Sequence, residues 1–162
     1  MNLTISVTGP ASISKQYISA LKQAVTKTLA LSPRSKTSFL KNKSIHWELS
    51  VSLVSESKIK SLNHRFRKKN RVTDVLSFSQ LDKSWPVSPI QSFGEVIICL
   101  PVAKKQALLF KQTLLRELER LTVHGTLHLL GYDHELGKKE ELEMFRLQDR
   151  ILQNTSLKHL KT

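Results

Sequence analysis

The segment HGTLHLLGYDH, residues 124–134, constrains the fold of this chain more than any other part of it. Residues four apart lie above one another on one helix face, so His124 and His128 can point at a single ion. Gly131 predicts the end of that helix, because glycine readily adopts the left-handed conformation found at helix stops. The chain can then turn back and bring His134 to the same point. The sequence therefore predicts a long helix that ends beside three imidazoles.

Three neutral imidazole nitrogens predict a zinc site, with ligand distances of about 2.0–2.1 Å. Nickel is the alternative metal, since imidazole binds it as well. Three protein ligands leave the fourth position to water, which is typical of catalytic rather than structural zinc. Gly125 stands where H-E-x-x-H hydrolases carry a glutamate base, so an enzyme here needs the metal, or an acid elsewhere, to activate water. Asp74 and Glu95 are candidate acids, with a turn-binding role as the alternative for Asp74.

The charge of the chain is strongly positive and unevenly distributed. It has 26 Lys and Arg against 13 Asp and Glu, a formal net charge of +13. Residues 1–111 carry 18 basic and 5 acidic side chains, whereas residues 112–162 carry 8 of each. Such a basic field attracts polyanions and favours a nucleic-acid partner, with a merely solubilising basic surface as the alternative.

Hydrophobic periodicity predicts a small α+β domain. Strands are predicted at residues 3–7, 46–54, 72–78 and 95–100. Helices are predicted from Ser12 or Ser14 to about residue 31, from Ser55 or Ser57 to about residue 66, and from Pro101 onward. A long helix is predicted from Leu114 to Gly131, and a last one at about 138–152. Residues 35–44 and 80–93 read as loops, and residues 153–162 as a frayed tail. We expect one domain over residues 1–162.

The remaining bulk features favour a cytoplasmic protein with no membrane partner. No apolar run approaches the length that spans a bilayer, and the N-terminus lacks a basic start followed by an apolar signal core. Cys99 is the single cysteine and lies in the apolar stretch VIICL. We expect it to be a reduced, buried core residue.

Four blocks of the sequence resemble one known family. The segment HGTLHLLGYDH is similar to the signature H-G-x-L-H-L-x-G-Y-D-H of the YbeY family, and LNHRFRKKNRVTDVLSF (residues 62–78) resembles its L-N-x-x-Y/F-R-x-x-D-x-P-T-D/N-V-L-S-F. GEVIICLPVA (residues 94–103) resembles G-D-I-x-I, and EMFRLQ (residues 143–148) resembles the final helix. The chain departs from the family at Asn70, Val72 and Glu95, where the family usually has Asp, Pro and Asp.

This resemblance implies a fold, an activity and a set of functional residues. The fold is a zincin-like α+β domain with a small mixed four-stranded sheet packed with helices and a metal site at the end of a long helix. The activity is that of a zinc-dependent, single-strand-specific endoribonuclease in 16S rRNA maturation and ribosome quality control. The family's zinc ligands fall on His124, His128 and His134, and its conserved arginine, implicated in cleavage, falls on Arg67. The implied partners are ribosomal RNA and the ribosome or its proteins.

With that resemblance, Arg67 is interpreted as the catalytic guanidinium that stabilises phosphate charge while metal-activated water attacks the phosphodiester. Its neighbours are interpreted as contacts to the RNA backbone, which bind without reading sequence: Arg65, Lys68, Lys69 and Arg71. Asp133 is a candidate to orient a ligating imidazole, with capping of the local turn as an equal alternative.

Two other functions remain open at this stage. The spacing of the histidines also resembles the metzincin peptidase motif, which predicts a metallopeptidase; Gly125 and the positive charge argue against it. The other alternative is a non-catalytic, zinc-stabilised ribosome assembly factor with the same basic surface.

Overall fold

The computed structural model describes residues 2–80 and 88–159. The described strands are β1 (Leu3–Thr8), β2 (His46–Val54), β3 (Val75–Ser79) and β4 (Ile90–Cys99). The helices are α1 (Lys15–Leu31), the single turn α2 (Arg34–Thr37), α3 (Glu56–Arg67), α4 (Leu100–Leu109), α5 (Leu114–Leu129) and α6 (Lys138–His159), and a 3-10 turn covers Ser38–Lys41. The predicted α+β class and four-stranded sheet are confirmed.

The four strands form one mixed sheet in the order β1-β2-β4-β3. The β1–β2 and β2–β4 pairs are parallel, and β3 runs antiparallel to β4 at the sheet edge. The register between β2 and β4 shifts between Glu48 and Leu49, where Phe93 is the extra residue of a bulge. The edge position of β3 matters for the site, because it leaves one side of that strand open.

Each face of the sheet is covered by helices around its own apolar cluster. On one face, Leu49, Val51 and Val96 pack with side chains of α1, α5 and α6 in the larger cluster. On the other face, Ile97 and Cys99 pack with Ile59 of α3 and Leu76 of β3. Cys99 is a free, buried thiol, as predicted.

Several helix and strand ends differ from the predicted ones, and hydrogen bonds explain two of these differences. Strand β3 begins at Val75 rather than residue 72, because the preceding residues form a turn in which the Asp74 carboxylate accepts the Val75 N–H. Strand β4 begins at Ile90 instead of residue 95, since Ile90 pairs with His46 and backbone pairing is indifferent to the polar side chains there. Of the loop predicted over residues 80–93, residues 81–87 lie outside the described part.

The loop predicted at residues 35–44 is wrong in part: the chain forms short helical turns up to Lys41, whereas residues 42–44 lie in no helix or strand. The residues from 153 onward, predicted as a frayed tail, belong to α6 as far as His159. Leu40 and Ile45 are buried, and burial of these two side chains folds a polar segment into short helical turns. Helix α6 continues to His159 because its last turns are anchored: the Arg116 guanidinium donates to the Leu152 carbonyl and to the Thr155 hydroxyl. Residues 160–162 of the predicted tail lie outside the described part.

Within the described residues, no helix is both long enough and apolar enough to cross a membrane.

Candidate metal centre

Three histidines converge at the C-terminal end of α5. His124 and His128 lie one turn apart on that helix, and His134 follows the turn that begins at Gly131. One nitrogen from each ring can be chosen so that all three lie within 4.8 Å of one another. Gly131 has a φ of 80°, and its N–H donates to the His128 carbonyl, which closes the helix and redirects the chain. The local geometry is therefore that of the predicted helix stop.

Contacts with neighbouring side chains orient the imidazoles of the cluster. The Nδ1 atom of His124 donates to the Oε1 atom of Gln148 at 3.0 Å, which leaves the lone pair of Nε2 directed at the cluster. The Nε2 atoms of His124 and His128 are 3.1 Å apart. The ring of Phe145 stacks on His134, with centroids 5.7 Å apart and planes 21° apart. Gln148 and Phe145 both belong to α6, so the last helix supports two of the three rings.

The environment keeps the two helical imidazoles uncharged. Burial, reinforced by His128, lowers the pKa of His124 to about 4 from its usual 6.5. Burial and the neighbouring His134 also lower the pKa of His128, partly offset by Asp133 and by a hydrogen bond with the Tyr132 backbone. Only the neutral form of an imidazole binds a metal, so these two side chains are in the ligating form at neutral pH. The donor set therefore fits a borderline divalent ion such as zinc.

The cluster forms one wall of a polar cavity of about 230 Å³, which we call the histidine cavity. The opposite wall comes from the end of α3, the loop after it and the edge strand β3, including Arg67, Lys69, Arg71, Thr73 and Ser77. Asp133 and Glu135 complete the lining from the turn after α5. Three cationic side chains thus face the same space as the three imidazoles.

The predicted RNA contacts separate into two groups in the structure. Arg67, Lys69 and Arg71 line the histidine cavity. Arg65 and Lys68 lie outside its lining: the Arg65 guanidinium sits over the Phe66 ring at 5.2 Å, and the Lys68 ammonium donates to the Arg65 carbonyl.

A buried asparagine shapes the loop that carries these cations. Asn63 is almost fully buried, and its side-chain amide donates to the Arg71 carbonyl at 2.8 Å. The backbone carbonyl of Asn63 accepts from Lys69, and Lys68 adopts the left-handed conformation that ends α3. The loop therefore folds back over the end of α3. As a result, Arg71 from the loop and Arg67 from the helix both line the histidine cavity.

The acidic candidates occupy structural positions. One Asp74 oxygen accepts the Val75 N–H and the other accepts from Gln106, so Asp74 has the turn-binding role given above as the alternative. Asp74 also lines the histidine cavity. Glu95 accepts from Ser52 and does not line the cavity. Asp133 accepts the Glu135 N–H, which caps the local turn. Asp133 was a candidate to accept a hydrogen bond from a clustered imidazole; among the described residues, Gln148 accepts such a bond, from His124.

The glycine in the place of a catalytic glutamate has a steric cause. A Cβ at Gly125 would lie 2.6 Å from Cγ1 of Val96 and 3.0 Å from the hydroxyl of Ser77. At Gly125, α5 packs closely against β4 and β3, so a side chain does not fit between the helix and these strands. The position cannot hold a general base without moving α5 away from β4.

Sequence reasoning overlooked Gln148, Phe145 and Asn63. A signal for Gln148 was present: it is a polar residue on the face of α6 that buries Met144, Leu147 and Ile151. Asn63 carries the same kind of signal, since it follows the buried Ile59 by one turn of α3, whereas Phe145 carries none.

The fold and the cluster together define a class of protein: an α+β hydrolase of the zincin-like type, with three imidazoles that can hold a metal ion beside a basic cavity. Comparison with known proteins narrows this class. The family model described as "Endoribonuclease YbeY" matches residues 10–156.

Curated relatives and a solved structure agree with that match. The YbeY endoribonuclease of Persephonella marina is 47% identical over 107 residues, which covers 66% of this chain and 69% of the relative. That of Thermodesulfovibrio yellowstonii is 36% identical over 141 residues, 87% of each chain. The solution structure of TM1509 from Thermotoga maritima superposes with a TM-score of 0.62 at 29% identity, over 98% of this chain and 93% of the other. The chain belongs to the YbeY endoribonuclease family, and the prediction that it is an enzyme of the hydrolase class is confirmed.

Proposed function

We propose that this chain is a zinc-dependent endoribonuclease that cleaves single-stranded RNA in the cytoplasm, in 16S rRNA maturation and ribosome quality control on the ribosome. One observation carries the proposal: three imidazoles, two of them kept neutral mainly by burial, and three cationic side chains converge on one cavity. The name of the relatives, endoribonuclease YbeY, supplies the substrate class. A phosphodiester, unlike a peptide bond, is the substrate that such a cationic wall suits.

The chain's own residues divide the work between holding a metal and holding the substrate. His124, His128 and His134 would hold the ion, with Gln148 keeping His124 in the ligating tautomer. When bound, a zinc ion supplies a Lewis acid and lowers the pKa of water to near neutrality. Nickel remains the alternative ion for the same donors.

Arg67 is the residue that we assign to the reacting phosphate. Its guanidinium is charged at every relevant pH and offers two parallel donors that match two phosphate oxygens. Lys69 and Arg71 line the same cavity and would contact the adjoining backbone. At about 230 Å³ the cavity is smaller than most ligand pockets, so it suits one phosphate with its sugar and favours an unpaired strand over a duplex.

The metallopeptidase alternative is disfavoured by the packing at Gly125. Metallopeptidases of the related motif use the glutamate at that position as general base. Here the contact with Val96 closes the position to any side chain. We therefore expect no peptide cleavage from a preparation that cuts single-stranded RNA.

The Arg67→Ala variant tests the assignment of the substrate residue. We expect kcat/KM for a single-stranded RNA to fall by about 10²–10³-fold, the usual loss when one donor to developing charge is removed. Zinc content, measured by elemental analysis on the same sample, should stay near one ion per chain. Equal loss of zinc and activity would instead assign Arg67 a role in folding.

Matched variants separate catalysis from contamination and from a purely structural metal. His128→Ala should lose the zinc and the cleavage together, whereas His64→Ala, at an exposed histidine outside the cavity lining, should keep both. Chelation should abolish cutting and leave RNA binding intact. If the zinc-loaded wild-type protein binds RNA and cuts none, the non-catalytic assembly factor is the correct function.

A further inference from the structure

A second, larger cavity lies beside α6, and Tyr132 of the turn before His134 is part of its lining. It measures about 780 Å³ and is bounded by α6 and by Pro33 after α1; we call it the α6 groove. Its apolar lining comes from Pro33, Tyr132, Leu142 and Leu147. Leu142 is 54% exposed although it belongs to this apolar surface. The groove is therefore an apolar surface that the described part of the chain leaves open to solvent.

The rim of the α6 groove is cationic. Lys138, Lys139, Arg146 and Arg150 line it, against one carboxylate, that of Glu143. The Arg150 guanidinium also donates to the carbonyl of Leu31, which ties this rim to the end of α1. An apolar floor under a positive rim is complementary to a nucleotide, whose base is flat and largely apolar on its faces and whose phosphate is anionic.

Residues that line the α6 groove are close along the chain to residues of the candidate metal centre. Tyr132 lines the groove, and His134, two residues later, belongs to the imidazole cluster. Phe145 bridges the two places: its ring stacks on His134 and remains 36% exposed, three residues along α6 from Leu142. A strand that leaves the histidine cavity over His134 would meet the Phe145 ring first and the groove next.

We propose that the α6 groove binds a nucleotide of the RNA strand beside the cleaved phosphate, with its base on the apolar floor and its phosphate on the rim. This inference rests on the proposed function, since it extends the path of the same substrate. Phe145 is a stacking platform between the two cavities. The volume of the groove lies within the range of pockets that bind molecules of nucleotide size.

Two groove variants with matched controls test the proposal. Arg146→Glu reverses a charge on the rim, and Lys22→Glu makes the same change on the exposed side of α1, outside both cavity linings. Leu142→Ser removes apolar floor, and Leu109→Ser makes the same change at an exposed leucine of α4. The first readout is the dissociation constant of a labelled 12-nucleotide single-stranded RNA for chelator-treated protein, by fluorescence anisotropy, which requires no cleavage.

We expect the groove variants to weaken binding of the 12-nucleotide RNA by about five- to twentyfold, and the controls by less than about twofold. The slope of log affinity against log salt should flatten by about 0.7 for Arg146→Glu, the loss of one phosphate contact with a single strand. The second readout is the zinc content of the same proteins before chelator treatment, and it should be unchanged in both groove variants because neither Arg146 nor Leu142 belongs to the imidazole cluster.

The outcomes distinguish this inference from the proposed function. Groove variants that bind the 12-nucleotide RNA as the wild type does would overturn the inference and assign the groove to a protein partner. Equal weakening in Lys22→Glu and Arg146→Glu would also overturn it, since overall charge would then explain binding. A wild-type protein that binds RNA through the groove and cuts none would overturn the proposed function and leave the groove assignment intact.

Discussion

Gln148 determines which nitrogen of His124 faces the cluster. Its carbonyl oxygen accepts from Nδ1 and it is buried, so it is pre-positioned before any ion arrives. We predict that Gln148→Met, which keeps the volume and removes the acceptor, weakens zinc binding by about 10–100-fold, the usual effect of losing a partner that orients a ligand. Competition with a chromophoric chelator measures this affinity directly.

The conservative variant and a surface control decide how that result is interpreted. Gln148→Glu keeps an acceptor beside Nδ1 and should restore most of the zinc affinity, whereas Gln153→Met, at an exposed position of α6, should leave it unchanged. If Gln148→Glu binds zinc as weakly as Gln148→Met, packing rather than orientation of His124 explains the loss.

Gly125 is required by close packing between α5 and the sheet. The Val96 side chain that a Cβ would strike belongs to a central strand and cannot move aside. We predict that Gly125→Ala lowers the free energy of unfolding by about 1–3 kcal/mol, because overpacking outweighs the better helix propensity of alanine. Urea denaturation measures the change.

Two further variants test the stated cause of that loss. Gly137→Ala meets only the flexible end of the Glu140 side chain and should change stability by less than about 0.5 kcal/mol. In the background of Val96→Ala, the cost of Gly125→Ala should shrink, because the obstructing methyl group is gone. An undiminished cost in the double variant would mean that another contact is responsible.

At the scale of elements, the connection between α3 and β3 sets the cationic wall of the histidine cavity. Asn63 anchors that connection through its bond to the Arg71 carbonyl, from a buried position. We predict that Asn63→Ala costs about 1–3 kcal/mol of stability, because it removes a part-buried hydrogen bond and leaves a gap at a buried position. RNA cleavage by the folded fraction should fall as well, while zinc content stays unchanged, since the imidazoles belong to other elements.

Asn154→Ala is the matched control for the asparagine. Its side-chain amide also donates to a backbone carbonyl at 2.8 Å, that of Arg150, but from an exposed position. Water replaces that bond at little cost, so stability and cleavage should stay near wild type. A loss of zinc in Asn63→Ala would show that the α3–β3 connection also supports the imidazole cluster.

At the scale of the whole molecule, we propose that residues 1–162 form one domain. The larger apolar cluster combines side chains from α1, the sheet, α5 and α6, and the smaller one joins α3 to β3 and β4. Since the sheet is shared by both clusters, loss of either face would expose the other. This arrangement predicts a single unfolding transition.

The stability of the metal-free protein should decrease on acidification. The pKa of His124 is about 4 in the folded chain, below its usual 6.5, so the unfolded chain binds more protons between these values. The free energy of unfolding therefore falls as the pH drops from about 7 towards 4, by about 1.4 kcal/mol for each unit of difference in pKa. The lowered pKa of His128 acts in the same direction.

Urea midpoints measured at intervals from pH 7 to pH 4.5 test this dependence. Replacing the titrating ring, in His124→Gln, should flatten the dependence, and His64→Gln, at an exposed histidine, should leave it as in the wild type. A metal-free protein whose midpoint is constant or rises over this range would contradict the lowered pKa of the buried ring.

Local chemistry in the sequence determined the element order, the helix stop at Gly131 and the choice of His124, His128 and His134 as a set. Periodicity, the conformational freedom of glycine and the four-residue spacing act over a few residues, and a sequence displays them directly. Local chemistry also placed β2 at the bounds that the structure gives, and the end of α5 to within two residues.

Only the tertiary structure decided which partners those residues meet. Contacts between distant segments explain the early start of β4 and the support of His124 by Gln148. They also explain why Arg65 and Lys68 lie outside the histidine cavity and why no side chain fits at Gly125. Such contacts follow from how helices and strands pack against one sheet, and packing distances are not encoded in the spacing of residues along the chain.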